Sequence, residues 1–441
     1  QWIDSEKFGV NKRDCMNYLE KFEEVIAKSN YKNLPQTTQD FIRQKAFLYQ
    51  FTFQELKQLI DFAIDFRLWH EAHIEAIFKE EYSNKKAAFN YIKEVWQNLK
   101  AKPNNYDNFS KDSYQDDVRK FSFKSYESSK AALGICPVAS PHTRCCNLLT
   151  LDAVQSCGFD CSYCSIQSFY NKDNKGQEII GFDKNFKENL KNLQLDPNEV
   201  YHIGTGQSSD SLMWGNKEGI LESLFEFAFA HPNVILEFKT KSNNIAYFLE
   251  NEVPKNIICT WSLNTPTICE NEEHLAASLE KRIDAAKKVS QKGVLVGFHF
   301  HPIVQYENYL NEYARVYKTL LENFDPKKVA LVSFGTLTFI KPVIQKIRTR
   351  NFKSKILQMP FTNANNKYSY CLETKKEMFK HAYETFKPWH KEVYFYLCME
   401  DESLWKEVFG YEYASNNQME EFMKMAYMEK IKNNVTEIVY K

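Results

Sequence analysis

From residue 147 onward the chain alternates short runs rich in β-branched and aromatic residues with stretches long enough for a helix, and few folds accept that pattern. The runs are 147–154, 199–204, 234–240, 257–264, 294–303 and 329–337, with helical patterns such as 220–230 and 276–291 between them. Strand, helix, strand at this spacing requires right-handed crossovers and a parallel sheet, either doubly wound or curled into a full or partial barrel. In both arrangements ligands bind at the C-terminal ends of the strands.

The flanks read differently. Residues 1–135 hold long 3.6-period stretches, 41–66 and 69–99, poor in Gly and Pro, and predict a helical N-terminal region. Turn chemistry at 102–108, and again up to Pro137, marks its end. Beyond 340 come a basic helix candidate, a polar turn at 363–366, a strand-like run at 393–397 and helical ends. The expected organisation is therefore a helical region over 1–135, an α/β barrel over 136–340 and a mixed appendage over 341–441 that closes the active-site mouth. With 43% hydrophobic and 26% charged residues the composition excludes fibrous and mostly disordered chains. Lys plus Arg (57) equals Asp plus Glu (57), so net charge points to neither nucleic acid nor membrane. No apolar run reaches about 18 residues and the first six residues lack a signal-peptide pattern, which makes a cytoplasmic protein without a membrane partner the expectation.

Six of the eleven cysteines fall between Cys136 and Cys164. In a reducing compartment such clustering points to metal or redox chemistry rather than disulfides. The sharpest motif is Cys157-Gly158-Phe159-Asp160-Cys161-Ser162-Tyr163-Cys164, a C-x3-C-x2-C run directly after the first expected strand. Three thiolates on one short loop can hold three irons of a [4Fe-4S] cube and leave the fourth iron open to a small chelating molecule. Structural zinc is the competing reading, although zinc sites more often pair C-x2-C units or include His. Cys136, Cys145 and Cys146 precede the motif. Adjacent cysteines point in different directions, which favours packing around the first cluster over a second one.

A C-x3-C-x-aromatic-C motif after the first strand of a βα repeat resembles the radical S-adenosylmethionine (SAM) superfamily. The resemblance implies a partial (β/α)6 barrel in which Cys157, Cys161 and Cys164 hold a [4Fe-4S] cluster whose open iron chelates SAM. It also implies cleavage of SAM to methionine and a 5′-deoxyadenosyl radical, with an electron donor such as flavodoxin or ferredoxin. Tyr163 would lie near the adenine, unless it only packs the loop. Over roughly 145–360 the chain further resembles the spore photoproduct lyase family of DNA-repair enzymes. Thr205-Gly206-Gln207-Ser208-Ser209-Asp210 is similar to the family's Ala-Ala-Cys-Thr-Ser-Asp, which implies Ser209 and Asp210 in the cofactor neighbourhood. Phe238-Lys239-Thr240-Lys241 resembles its Thr-Lys segment and makes Lys241 the expected partner of the SAM carboxylate. Trp261-Ser262-Leu263-Asn264 resembles Ser-Ile-Asn and places Ser262 nearby; Lys281-Arg282-Ile283-Asp284-Ala285-Ala286 and the stretch 293–302 also match in order.

One departure stands out. The family cysteine that donates a hydrogen atom to the product radical is Gln207 here, and an amide N–H is too strong a bond for that task. Cys371 and Cys398 are the candidate replacements, with buried structural thiols as the bland alternative. The family's DNA-reading hairpin also lacks a good counterpart. Lys341, Lys346, Arg348, Arg350, Lys353 and Lys355 form a basic run without an acid over 340–355, which would contact phosphates or simply be a solvated face. His299 and His301, two apart on one expected strand, share a sheet face and are expected to point into the barrel, as chemistry or as hydrogen-bonded core. The expected function is a radical SAM, lyase-like enzyme acting on nucleic acid. Modification of a peptide or protein, and a non-catalytic binding protein with structural metal, are the alternatives.

Overall fold

The computed structural model describes residues 12–79, 82, 84–107, 109, 119–129, 133–136, 142–364 and 366–439. The first six residues, Asn108, residues 137–141 and Asn365, all used in the sequence reading, lie outside them. In chain order the helices are α1 (Lys12–Ala27), α2 (Gln36–Tyr49), α3 (Phe53–Leu68), α4 (Ile74–Ile77), α5 (Lys85–Ala101), α6 (Phe186–Lys191), α7 (Ile220–Ala230) and α8 (Ala246–Glu250). They continue with α9 (Pro266–Glu272), α10 (Leu279–Gln291), α11 (Tyr309–Asn323), α12 (Lys341–Arg348), α13 (Leu372–Thr385), α14 (Ser403–Phe409) and α15 (Asn416–Val439). The strands are β1 (Phe121–Tyr126), β2 (Leu133–Ile135), β3 (Leu149–Leu151), β4 (Val154–Gln155), β5 (Glu178–Asp183), β6 (Tyr201–Thr205) and β7 (Val234–Thr240). After them come β8 (Ile257–Ser262), β9 (Leu295–Ile303), β10 (Val329–Thr336), β11 (Thr338–Ile340), β12 (Thr362–Ala364), β13 (Lys367–Ser369) and β14 (Tyr394–Leu397). Among the described residues no helix is long and apolar enough to cross a membrane.

The chain forms two compact units. One comprises 1–118, 305–307 and 339–368; the other holds 119–304, 308–338 and 369–441. In the first, the pattern over 41–66 resolves into two helices rather than one. Gln50 takes a left-handed conformation at φ 48°, and Thr52 opens α3 with a reciprocal capping box, its hydroxyl accepting from Glu55 N–H while Glu55 accepts from Thr52 N–H. The basic run starts as α12, and here the structure supplies the acids that the run itself lacks. Arg348 donates two hydrogen bonds to Asp65, at 2.8 and 2.7 Å, and lies 3.1 Å from Asp61, while Lys355 pairs with Glu71 at 3.2 Å. These two cations are therefore internal supports of the unit rather than a free phosphate-binding face.

The second unit is built on a curled sheet in the order β14-β10-β9-β8-β7-β6-β3-β2, parallel throughout except for the β2–β3 pair. This is the expected parallel α/β half-barrel, with strands at all six expected runs. The first run is broken: β3 stays in the barrel, whereas β4 turns away to join β1 and β5 in a separate three-stranded sheet. Strands β1 and β2 occur within 1–135, so helix does not persist through that stretch; it ends at Ala101. The C-terminal segment is also more than an appendage at the mouth. β14 extends the barrel sheet beside β10, and α15 lies against the N-terminal ends of the strands, where Lys430 Nζ donates to Pro326 O at 2.6 Å and Asn434 Nδ2 to Gly293 O at 2.8 Å. Tyr427 of α15 is fully buried and packs edge-on against His202, with ring centroids 5.3 Å apart. α15 thus closes the end opposite the mouth, where an apolar-faced helix can cover the open base of the sheet.

Candidate active site

The cysteine loop follows β4 and is fixed mainly through its backbone. Ser162 N–H donates to Glu272 O at 2.8 Å, Leu275 N–H to Phe159 O at 3.0 Å, and Cys161 forms an antiparallel bridge with Glu273. Gln167 Nε2 reaches back to the carbonyls of Ser162 and Cys164, at 3.0 and 2.9 Å. Gly158 packs closely under Met213 and Trp214: a Cβ there would sit 2.4 Å from Met213 Cε and 3.3 Å from Trp214, so the methionine end would have to move. Cys161 is buried, Cys157 and Cys164 are half-buried, and the Cys164 thiol lies 3.6 Å from the Tyr170 hydroxyl. Burial and then Asp210 push the Cys157 thiol up to about 12, and burial holds Cys161 well above the usual thiol range. Among the described residues no three His, Cys, Asp or Glu side chains converge on a single metal ion. Thiols that bind separate irons of a cube need no such convergence.

Lys241 is the cation of this neighbourhood. Its ammonium lies 5.7 Å from the Tyr163 ring centroid. Burial works against its charge, but Cys161 and Glu273 hold its pKa above the ordinary lysine value. Glu273 in turn accepts from the Tyr163 hydroxyl and from Arg282, and Arg282 also donates to Ala277 O at 2.7 Å and Ser262 O at 2.9 Å. Tyr163, Glu273, Arg282 and Lys241 therefore form one buried charged brace beside the thiols. Asp210 positions Lys241 from the other side: its carboxylate accepts from Lys241 N–H at 2.8 Å, Thr240 Oγ1 at 2.7 Å, Met213 N–H at 2.9 Å and Leu212 N–H at 3.0 Å. Ser209 Oγ accepts from Trp214 Nε1 at 3.1 Å, and Ser262 is buried at the end of β8. The tight turn before Asp210 needs Gly206, at φ +74°, where a Cβ would meet Ser211 N at 2.5 Å.

Inside the barrel, side chains stack in layers. His202 and His299 each place Nε2 2.8 Å from a different oxygen of Glu237, Thr260 Oγ1 donates to Glu237 at 3.0 Å, and His299 Nδ1 lies 2.6 Å from Ser333 Oγ. Burial, then Lys239, hold His299 down to about 4, so its imidazole is neutral near pH 7; its two histidine neighbours hold Glu237 well below the carboxylate range despite burial. Two residues further along each strand, hence on the same face, come Gly204, Lys239, Ser262, His301 and Gly335. A Cβ on Gly335 would lie 2.7 Å from His301 Cδ2 and 2.9 Å from the Cys398 carbonyl, so Cys398, just past β14, belongs to this upper level at the mouth. Burial, then Lys239, shape the Cys398 thiol, which is pushed up to about 12. Cys371 instead precedes α13, with its sulfur 3.3 Å from Thr374 Oγ1.

Cys145 and Cys146 lie on the segment that runs beside the barrel's last strand, where Thr143 bridges Asp401 and Glu402 N–H donates to His142 O at 2.8 Å. The structure thus assembles the cysteine loop, Tyr163, Ser209, Asp210, Lys241 and Ser262 around one mouth. Sequence reading missed Glu237, Glu273, Arg282 and Lys239 as site residues. The first two are isolated acids without a motif, while Arg282 and Lys239 were noted only inside matching segments.

The spore photoproduct lyase family model matches residues 147–391, more than half of the chain. Spore photoproduct lyases of Clostridium acetobutylicum and of a Geobacillus species are 24% identical over 199 residues and 22% identical over 202 residues. Each alignment covers 45% of this chain, and the chain spans 59% of the length of those relatives. A solved spore photoproduct lyase complexed with dinucleoside spore photoproduct shares the fold at TM-score 0.51 and 18% identity, over 62% of this chain and 82% of that one. A variant of that enzyme with bound AdoMet and dinucleoside spore photoproduct gives TM-score 0.50 at 18% identity, over 63% and 82%. With the motif, the barrel and the family model in agreement, the chain belongs to the spore photoproduct lyase family, within the radical SAM superfamily.

Proposed function

We propose that this protein is a radical SAM enzyme of the lyase type that acts on nucleic acid. The observation that carries the reading is the three-cysteine loop beside a half-buried lysine, Lys241, whose ammonium lies over the Tyr163 ring and is held charged beside Glu273. The donor set fits a [4Fe-4S] cluster: Cys157, Cys161 and Cys164 supply three soft ligands from one loop, and the carboxylates beside them are already engaged, Glu273 by Tyr163 and Arg282 and Asp210 by Thr240 and the Lys241 backbone. When bound, the cluster and SAM supply reductive cleavage of SAM and a radical able to take hydrogen from a substrate carbon. Lys241 would hold the SAM carboxylate, with Asp210 fixing its backbone, and Tyr163, Ser209 and Ser262 would stand in the same neighbourhood. A small electron carrier such as flavodoxin or ferredoxin delivers the electron, in a reducing, cytoplasmic setting.

Cys398 takes the part that Gln207 cannot. Its S–H bond breaks as a C–H bond forms on the substrate radical, and the unpaired electron stays on sulfur. Cys398 lies at the barrel mouth, whereas Cys371 caps a helix outside the strand layers, which favours Cys398 of the two. Nucleic acid is the preferred substrate because the relatives are spore photoproduct lyases and a solved one is complexed with dinucleoside spore photoproduct. The test is anaerobic reconstitution with iron and sulfide, dithionite reduction and chromatography for 5′-deoxyadenosine, with and without irradiated DNA. The expected result is 5′-deoxyadenosine from the wild type, none from Cys161→Ala, and a changed lesion when DNA is present. A reconstituted protein without iron would sink the proposal.

A further inference from the structure

The upper interior layer contains one cation that has no counter-charge among the described residues. Lys239 lies two residues beyond Glu237 on β7 and so faces the barrel interior, yet Glu237 is already engaged by His202, His299 and Thr260. The other positions of its layer, Gly204, Ser262, His301 and Gly335, include no acid. Among the described residues no carboxylate lies within ion-pair distance of Lys239, although the neighbouring lysines are served: Lys375 pairs with Glu400 at 2.6 Å, and Lys241 faces the thiols and Glu273. His301 adds no negative charge either; burial, then Lys239 and its other cationic neighbours, keep its imidazole neutral. Gly335 and Gly204 let neighbours close in on this layer, since a Cβ on the first would lie 2.7 Å from His301 Cδ2 and one on the second 3.0 Å from Leu148.

A partly buried ammonium without a partner is costly, so such a charge is retained where a ligand completes it. We propose that Lys239 binds the phosphodiester of the nucleic-acid substrate beside the reacting base, and so sets a requirement for a charged backbone at the centre of the barrel. This rests on the nucleic-acid reading above and sharpens it: sequence-independent contact to phosphate would come from inside the barrel, next to Cys398, and hold the reacting carbon near its thiol.

The test uses the full chain and two probes, spore photoproduct as a dinucleotide with its phosphodiester and as the dinucleoside without it, with affinities measured by calorimetry. Wild type is expected to prefer the phosphodiester probe by about tenfold, the size of one charge-assisted contact. Lys239→Gln should weaken that probe by about the same factor and leave the dinucleoside unchanged, while Lys239→Arg keeps most of the preference. SAM affinity should not move in either variant. Equal loss for both probes, or a fall in SAM affinity, overturns the assignment. Wild type that binds both probes equally sinks the Lys239 role alone, even if Lys239→Gln does not fold. Wild type that binds neither probe removes the nucleic-acid reading and this inference with it.

Discussion

Two adjacent levels of the same barrel interior use polar residues in opposite ways. At the lower level Glu237 is closed by His202, His299 and Thr260, and Ser333 completes the chain of hydrogen bonds. At the upper level Lys239 neighbours His301 and Cys398, and among the described residues the nearby Glu400 carboxylate is paired with Lys375 and not with Lys239. A buried charge with a full set of partners is a structural element; a charge left open beside it marks where something else must bind. The basic run over 340–355 makes the same point from the other unit. It has the density of a phosphate-binding patch in sequence, yet Arg348 is spent on Asp61 and Asp65.

That contrast can be broken in several ways. Glu237→Ala should have the largest effect, lowering unfolding free energy by about 3–5 kcal/mol in urea titration, because two imidazoles and a hydroxyl lose their acceptor at once. A loss below about 1 kcal/mol would show that the lower level is not a closed network. The pH dependence comes next. With a folded pKa of about 4 against an ordinary 6.5, His299 stays neutral when the unfolded chain has taken a proton, so stability rises with pH between those values. The span is about 3 kcal/mol at His299, seen as a thermal midpoint that drops from pH 6.5 towards 4, and His299→Asn should remove most of that slope. His301 acts in the same direction, and Glu237 extends the loss below the ordinary carboxylate range as its own depressed pKa is crossed.

Smaller effects sharpen the comparison. Arg348→Gln should cost roughly 2–3 kcal/mol by leaving the buried Asp65 carboxylate unpaired apart from Trp96, whereas Lys353→Gln in the same run should stay within about 0.5 kcal/mol. Equal costs would mean that the run acts as one uniform face. Cys398→Ala and Cys371→Ala should each change stability by less than about 1 kcal/mol. Only the first is expected to divert the product, with substrate-derived radicals ending in side products on mass spectrometry. The same diversion in Cys371→Ala would reverse the assignment of the hydrogen donor.

The strands of the half-barrel were legible because each is a short run rich in β-branched and aromatic residues, and the matching of 234–240 to β7 and 220–230 to α7 needed only local pattern. The cysteine loop was legible because its ligands are three and four residues apart, so local backbone geometry alone keeps them together. Strands β1 and β5 were not foreseen; they form a small outer sheet, and β1 is largely exposed and carries Ser and Lys. Nor was the joining of β14 to β10, which brings together strands separated along the chain by residues 337–393.

What the sequence determined by itself is the parallel α/β core, the thiol loop and the missing thiol at Gln207, since each is written in residues close along the chain. The tertiary structure decided which charges are satisfied. Glu237 meets His202 across 35 residues and His299 across 62, Arg348 meets Asp65 across 283, and Lys239 meets no acid among the described residues. The reason is physical: strand register and crossover length, not local propensity, set which side chains share a layer, and in a low-dielectric interior that sharing determines whether a charge is structure or site.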